Sequence, residues 1–202
     1  MSHNIDKIFY INLDERTDRR EEIETELNNV SLPYERFPGI KNEQGNVGCG
    51  YSHLSVLKMA RDRGYKNVLI FEDDFTFLVE KPQLENYLNN LFNNFNDFDV
   101  CFLSYNCDSF EEIPSHSFIR RVLDAQTASG YIVNEKCYSK LIELYEQTIP
   151  LLAETKYHWI YSTDITWKVF QKQDMWICFD KRIGKQRASF SNNSNCFQDY
   201  GV

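Results

Sequence analysis

The chain has 202 residues, 22 Lys and Arg against 30 Asp and Glu, a net charge of −8 and 42% hydrophobic residues. That length suits one domain burying roughly 70% of the surface its unfolded chain exposes. The composition excludes disorder, collagen-like repeats and low-complexity chains, and the acidic balance argues against a nucleic-acid footprint or a basic membrane-surface patch. An anion can still bind where positive charge is local or supplied by a metal ion. Cys49, Cys101, Cys107, Cys137, Cys178 and Cys196 form no C-x-x-C pair. They read as reduced, mostly buried thiols rather than a disulfide frame or a zinc site. The start, MSHNIDKIFYINLDERTDRR, shows no basic and then apolar leader. No apolar stretch approaches the roughly 20 residues of a membrane span. The expected compartment is cytosolic, and the N-x-S triplets at Asn29 and Asn192 then say nothing about glycosylation.

Strands and helices alternate along the chain. Lys7–Leu13 (KIFYINL) reads as a first strand, and Thr17–Asn29 as an amphipathic helix carrying Ile23, Leu27 and Val30 on one face, with Asp14 or Thr17 as its cap. Tyr34–Phe37 is a weak second strand. The segment KNEQGNVGCG reads as a flexible loop into a helix from about Ser52 to Arg63, stopped by Gly64. Asn67–Phe71 (NVLIF) is uninterruptedly apolar, as expected of a central parallel strand buried on both faces. Pro82 opens a helix with Leu84, Leu88, Leu91 and Phe95 as its stripe. Asp99–Tyr105, Ile119–Leu123 and Ser129–Val133 read as strands and Lys136–Gln147 as a helix. Asp164–Gln171 is a short helix, Met175–Phe179 the last strand, and the chain from about 181 is polar and irregular. With no linker, repeat or composition break, residues 1–202 form one α/β domain.

Three segments carry chemistry. In NVLIFEDDF, the acids Glu72, Asp73 and Asp74 sit where ligands gather in an open α/β sheet, at the carboxyl end of a strand. Their mutual repulsion asks for a cation or for solvent. If strand geometry persists, Glu72 and Asp74 point the same way and form a hard-oxygen site for Mg²⁺ or Mn²⁺ completed by phosphate oxygens. The same acids are also compatible with a plain strand cap or turn. In INLDERTDRR, a helix start with Arg16, Arg19 and Arg20 forms a local anion site, unless the arginines are solvated or paired with Glu22, Glu24 and Glu26. In GCGYSH, glycines allow close backbone approach, Ser52 can cap the helix, and His53 contacts phosphate, holds a loop or is a partly buried histidine. The spacing is not the dinucleotide fingerprint, and no P-loop or G-x-S-x-G element is present.

In order, INLDERTDRR, GCGYSHLSVLKMA, VLIFEDDF, TASGYIV and a late Asp164 followed by KQRASFS resemble glycosyltransferase family 25, the lipooligosaccharide and procollagen galactosyltransferase type, from about Lys7 to Ser191. The resemblance implies a single GT-A-type, Rossmann-like domain with a mostly parallel central sheet flanked by helices. It implies inverting transfer from a nucleotide sugar, usually a UDP-sugar, to a hydroxyl of a glycan, glycolipid or hydroxylated protein, as in lipopolysaccharide biosynthesis. It places the metal cluster (Mn²⁺ or Mg²⁺) on Glu72, Asp73 and Asp74. Donor binding falls on Asn12, Leu13, Arg16, Arg19, Ser52, His53, Asp73 and Gln186. The family's late aspartate falls on Asp164, which here follows Ser162-Thr163 in place of Pro-Val, and the proline ahead of Gln186 is missing. Asp74 and Asp164 are the catalytic candidates. Asp164 is either the general base or a helix cap. Gln126, Thr127 and Ser129 are expected to line the sugar pocket, with Ala128 and Gly130 allowing close packing. Tyr51, Tyr105, Trp159 and Trp176 are either stacking platforms or core. Two other classes compete: a non-catalytic nucleotide-sugar or carbohydrate-binding module, and a receiver-like domain, which lacks a matching late lysine.

Overall fold

The computed structural model describes residues 4–191 and 196–198, so the second N-x-S triplet lies outside the described residues. The chain forms β1 (Lys7–Asn12), α1 (Thr17–Asn29), β2 (Glu35–Pro38), α2 (Gly45–Asp62), β3 (Asn67–Glu72), β4 (Phe75–Phe77), α3 (Lys81–Asn94), β5 (Val100–Phe102), β6 (Asn106–Glu112), β7 (Ile119–Gln126) and β8 (Gly130–Asn134). It continues through α4 (Glu135–Thr155), α5 (His158–Tyr161), α6 (Thr163–Thr166), α7 (Lys168–Gln171), β9 (Trp176–Phe179), β10 (Gly184–Gln186), β11 (Ser189–Ser191) and β12 (Cys196–Gln198).

The eight-stranded sheet runs β2-β1-β3-β8-β5-β9-β7-β6. Its strands alternate faithfully between two cores. Phe9, Ile70, Phe102, Tyr131 and Trp176 face the layer of α2 and α4; Tyr10, Phe71, Cys101, Ile132 and Ile177 face that of α1 and α3. An apolar run buried on both faces is what such a three-layer arrangement requires.

The expected mostly parallel sheet is corrected to a mixed one. β1 is parallel to β2 and β3, and β5 to β9, but β8 is antiparallel to both β3 and β5, and β7 is antiparallel to β9 and β6. Burial on both faces gives parallel and antiparallel central strands the same sequence signature, so direction was not readable from NVLIF. Strand β6 escaped notice because it is a polar, largely exposed edge, held by cross-strand pairs of Arg120 with Glu112 (3.0 Å) and Arg121 with Glu111 (3.3 Å).

Helix α2 starts at Gly45, seven residues before the expected Ser52. Glycine is a poor helix former, so only tertiary packing explains this. A Cβ at Gly48 would lie 2.4 Å from the Ile40 carbonyl oxygen, and one at Gly50 would lie 3.1 Å from Ile149 on α4. Ser52 is therefore no cap. Its hydroxyl donates to the Gly48 carbonyl (2.7 Å) and accepts from the Ile40 N–H (2.8 Å), tying the loop to the helix. Nor do Asp14 or Thr17 cap α1, whose N-cap is Arg16. Helix α4 outruns its expected end at Gln147 and passes through Pro150, because Ile149 and Leu152 keep its buried stripe in register. The region expected to be irregular after Asp180 contains three short strands, and β10 pairs antiparallel with β4, Gln186 opposite Phe75.

Candidate active site

Strand β3 ends at Glu72 and the chain turns through Asp73 and Asp74 into β4, so the strand alternation expected to align Glu72 with Asp74 stops there. Asp73 is fully engaged: Oδ2 accepts from Asn12 Nδ2 (2.8 Å) and Oδ1 from Arg19 (3.0 Å). Asp74 Oδ2 accepts from Arg19 (3.1 Å) and from Gln186 Nε2 (3.1 Å), while its carbonyl accepts the Arg187 N–H (2.6 Å). Asp74 Oδ1 is buried and has no hydrogen-bond partner among the described residues. Of the three arginines of the expected anion site, only Arg19 faces this acid cluster, while Arg20 pairs with Glu24 at 3.0 Å. Arg19 bridges Asp73 and Asp74, and Arg16 pairs with Asp18 at 2.8 Å.

β1 delivers this arrangement. Asn12 also donates to the Arg16 carbonyl (2.9 Å), and Arg36 on β2 holds both the Asn12 side chain (3.1 Å) and its carbonyl (3.0 Å). The Leu13 carbonyl accepts from Arg16 N–H (3.0 Å), closing the turn into α1. Behind the acids, Phe75 is wedged between two glycines. A Cβ would come within 2.4 Å of its ring at Gly130 and 2.0 Å at Gly184, which fulfils the close packing expected of Gly130.

Glu72 faces elsewhere. Its Oε1 accepts from His53 Nε2 (3.1 Å) and from the Cys49 thiol (3.3 Å), and His53 Nδ1 meets the Tyr131 hydroxyl at 2.7 Å. Burial pushes the Glu72 carboxyl up, but the hydrogen bonds from His53 and Cys49 outweigh it and hold the group below the ordinary carboxylate range. Asp74 goes the other way. Burial and the neighbouring charge of Glu72 push it up to about 7, against the pull of Arg19. Burial also raises Asp73, with Arg19 opposing.

Asp164, on α6, is held by the Thr127 N–H to its Oδ2 (3.2 Å). It is not the helix cap, a position taken by Ser162. Burial raises its pKa, the Thr127 N–H lowers it, and the charge of Glu72 raises it further, which puts both carboxyls in one electrostatic neighbourhood. Thr127 adopts φ 92°, a left-handed conformation costing a β-branched residue about 1–3 kcal/mol, the strain expected at a functional turn. Ser129 does not line a pocket: it is fully buried with its hydroxyl on Ser104. Gln126 sits half-buried at the end of β7, opposite Asn106. Of the aromatic candidates, Trp176 and Tyr105 are core and Tyr51 packs against it, while Trp159 is 61% exposed beside Tyr157.

Sequence reasoning missed Cys49, Tyr131, Arg36 and Arg187. Cys49 was findable as the residue four before His53 on a helix; the others depend on strand pairing and left no local signal.

The mixed sheet with helices on both faces and an acidic turn at the carboxyl end of β3 is a GT-A-like α/β arrangement. The fold is shared with a crystal structure of a glycosyltransferase involved in the glycosylation of the major capsid of PBCV-1, at a TM-score of 0.53, 9% identity, 94% of this chain and 95% of that one. A looser likeness, TM-score 0.44 at 9% identity over 89% of this chain and 58% of the other, is to mannose-1-phosphate geranyltransferase from Thermus thermophilus. Residues 43–157 match the model of glycosyltransferase family 25 (LPS biosynthesis protein), and the chain belongs to that family. A Drosophila melanogaster glycosyltransferase 25 family member is 28% identical over 37% of this chain; the match spans 17% of that relative's length.

Proposed function

We propose that this chain transfers a glycosyl group, with inversion, from a nucleotide sugar of the UDP-sugar class to a hydroxyl of a glycan, glycolipid or hydroxylated protein, with Mn²⁺ or Mg²⁺ as cofactor. The observation carrying the reading is the convergence, at the carboxyl end of β3, of Asp73 and Asp74 with Asn12 and Arg19 from the start of the chain and Gln186 from beyond residue 180. Two carboxylates against one guanidinium, with the Glu72 charge close enough to raise Asp74, leave an excess of negative charge, and the buried Asp74 Oδ1, without a hydrogen-bond partner among the described residues, is a hard oxygen donor open to a cation. These features fit a divalent ion held by Asp74 with Glu72 and Asp73 beside it. When bound, such an ion offsets the charge that develops on the departing nucleoside diphosphate.

The chain's own residues do the rest. Asn12, Arg19 and Gln186 fix the Asp73 and Asp74 carboxylates, so their orientation costs nothing at the moment of reaction. Leu13, Arg16, Ser52 and His53 belong to the same donor side, Ser52 acting through the loop it ties down. Asp164 is the general base: it takes the proton from the acceptor hydroxyl as that oxygen bonds to the anomeric carbon and the carbon–phosphate oxygen bond breaks. The Thr127 N–H aims the carboxylate, and burial with a nearby Glu72 charge makes it more basic than a free aspartate.

The test is thermal stability and turnover together. Mn²⁺ with a nucleoside diphosphate should raise Tm, since a ligand that binds only the folded chain stabilises it. The chain should also hydrolyse one of a panel of nucleotide sugars. No stabilisation by any nucleoside diphosphate sinks the proposal; stabilisation without hydrolysis or transfer in any pairing favours the binding module.

A further inference from the structure

Cys49 and His53 are four residues apart on α2 and therefore share a face, turned to the end of β3. Cys49 Sγ, His53 Nε2 and a Glu72 carboxylate oxygen all lie within 4.8 Å of one another, with S···O 3.3 Å and N···O 3.1 Å. Around a tetrahedral zinc-class ion, bonds of about 2.3 Å to sulfur and 2.0–2.2 Å to nitrogen and oxygen put ligand atoms about 3.3–3.6 Å apart. Two edges of the triangle already stand near that spacing, and the third is no longer than 4.8 Å.

The surroundings are those of a built site. The Tyr131 hydroxyl, 2.7 Å from His53 Nδ1, can donate or accept, so it supports the tautomer that leaves Nε2 free to ligate and fixes the ring's direction. The helix carrying both ligands is locked by Gly48 beneath the Ile40 carbonyl and Gly50 against Ile149. Glu72 is 22% exposed at its side chain, which leaves the triad open to solvent on that side. The donor set is also distinct from the hard-oxygen turn beside it. Thiolate and imidazole select borderline-soft ions over Mg²⁺ and Mn²⁺.

We propose that Cys49, His53 and Glu72 form a three-ligand site for a transition ion of the zinc class, next in sequence to the hard-ion position at Asp74 and distinct from it. The inference goes beyond the transferase reading, because it needs neither donor sugar nor turnover. Binding exchanges the thiol proton for the metal, so one proton is released as the sulfur–metal bond forms. It also revises the reading of the cysteines as bystanders.

Co²⁺, a spectroscopic stand-in for zinc, tests this on the reduced full chain. Expected is one equivalent bound, with a near-ultraviolet thiolate-to-cobalt charge-transfer band and the visible bands of a tetrahedral ion, all bleached by Zn²⁺. The band should vanish in Cys49→Ser, persist in Cys107→Ser and Asp74→Asn, and need at least tenfold more Co²⁺ in His53→Gln. Circular dichroism confirms that each variant is folded; should His53→Gln not fold, the near-isosteric Cys49→Ser decides alone. Absence of a charge-transfer band in the parent chain, its survival in Cys49→Ser, or its loss in Cys107→Ser or Asp74→Asn overturns the proposal.

Discussion

On one side of the turn that follows β3, two aspartates meet a guanidinium and two amides. On the other, a glutamate meets an imidazole and a thiol. The three acids are consecutive in sequence, yet their protonation is pushed in opposite directions, Asp74 up to about 7 and Glu72 below its ordinary value. The difference shows how a strand end sorts like residues. Where the strand stops, the backbone swings the next carboxyls toward α1, and adjacent acids acquire separate roles. Groups whose environments drive their pKa values apart are the ones to which acid, base and ligand roles are assigned.

The contrast between the two sides breaks first at Asp74. Asp74→Asn keeps the shape of the turn but removes the charge proposed to hold the ion, and donor hydrolysis by the chain should fall by about 10²–10³-fold, the scale of losing one preorganised electrostatic partner. A steady-state assay with Mn²⁺ reads this directly, and an unchanged rate would place the metal elsewhere.

Arg19→Ala attacks the same side through stability. It strands two buried carboxylates, and losing one partner of a buried ionic group costs about 3 kcal/mol or more. Urea unfolding should show that loss, much of it recovered by added Mn²⁺; Cys49→Ala on the other side should cost well under half as much.

Gly184→Ala drives a methyl into the Phe75 ring, for which about 1–3 kcal/mol is expected from overpacking. Thr127, Asp164 and the Glu72 contacts should be unaffected, so melting temperature and Mn²⁺ affinity should drop while Co²⁺ binding stays intact.

A smaller effect is the pH dependence. Asp74 is harder to ionise folded than unfolded, so between about pH 4 and 7 the native state holds more protons, and ion-free stability declines as pH rises through that window. Tm without divalent ions should therefore be higher at pH 5 than at pH 8, with Mn²⁺ stabilising more at pH 8. Asp74→Asn should flatten the profile.

The smallest change is expected at the surface. Lys58→Ala, which breaks an exposed pair with Glu146, should alter stability by about 0.5 kcal/mol or less and leave both sides of the turn as they were.

Much of this was legible in the residues. β1, α1 and β3 emerge within a residue of their expected bounds, because apolar periodicity and a short turn specify them locally. The acid cluster was recognisable from type and position alone, and Gln186 reached it despite its missing proline. What stayed hidden is non-local. The direction of β8 depends on which strands it enters between, and the early start of α2 depends on Ile40 and Ile149. That Arg19 bridges Asp73 and Asp74 depends on the turn that brings them together. Ser129 misled because a small polar residue in a Gly-containing segment reads as pocket lining, while its hydroxyl is in fact satisfied inside the core by Ser104.

The pairing of β10 with β4 has a consequence for the order of events during synthesis. Gln186 and Arg187 close on Asp74 from more than a hundred positions downstream, so in a chain emerging from the ribosome the acidic turn is made long before its last partners. Contacts so distant in sequence form late, since loop closure precedes any gain from them. On the proposed assignment of Asp74 to a divalent ion, completion of that position would wait on the last strands of the fold.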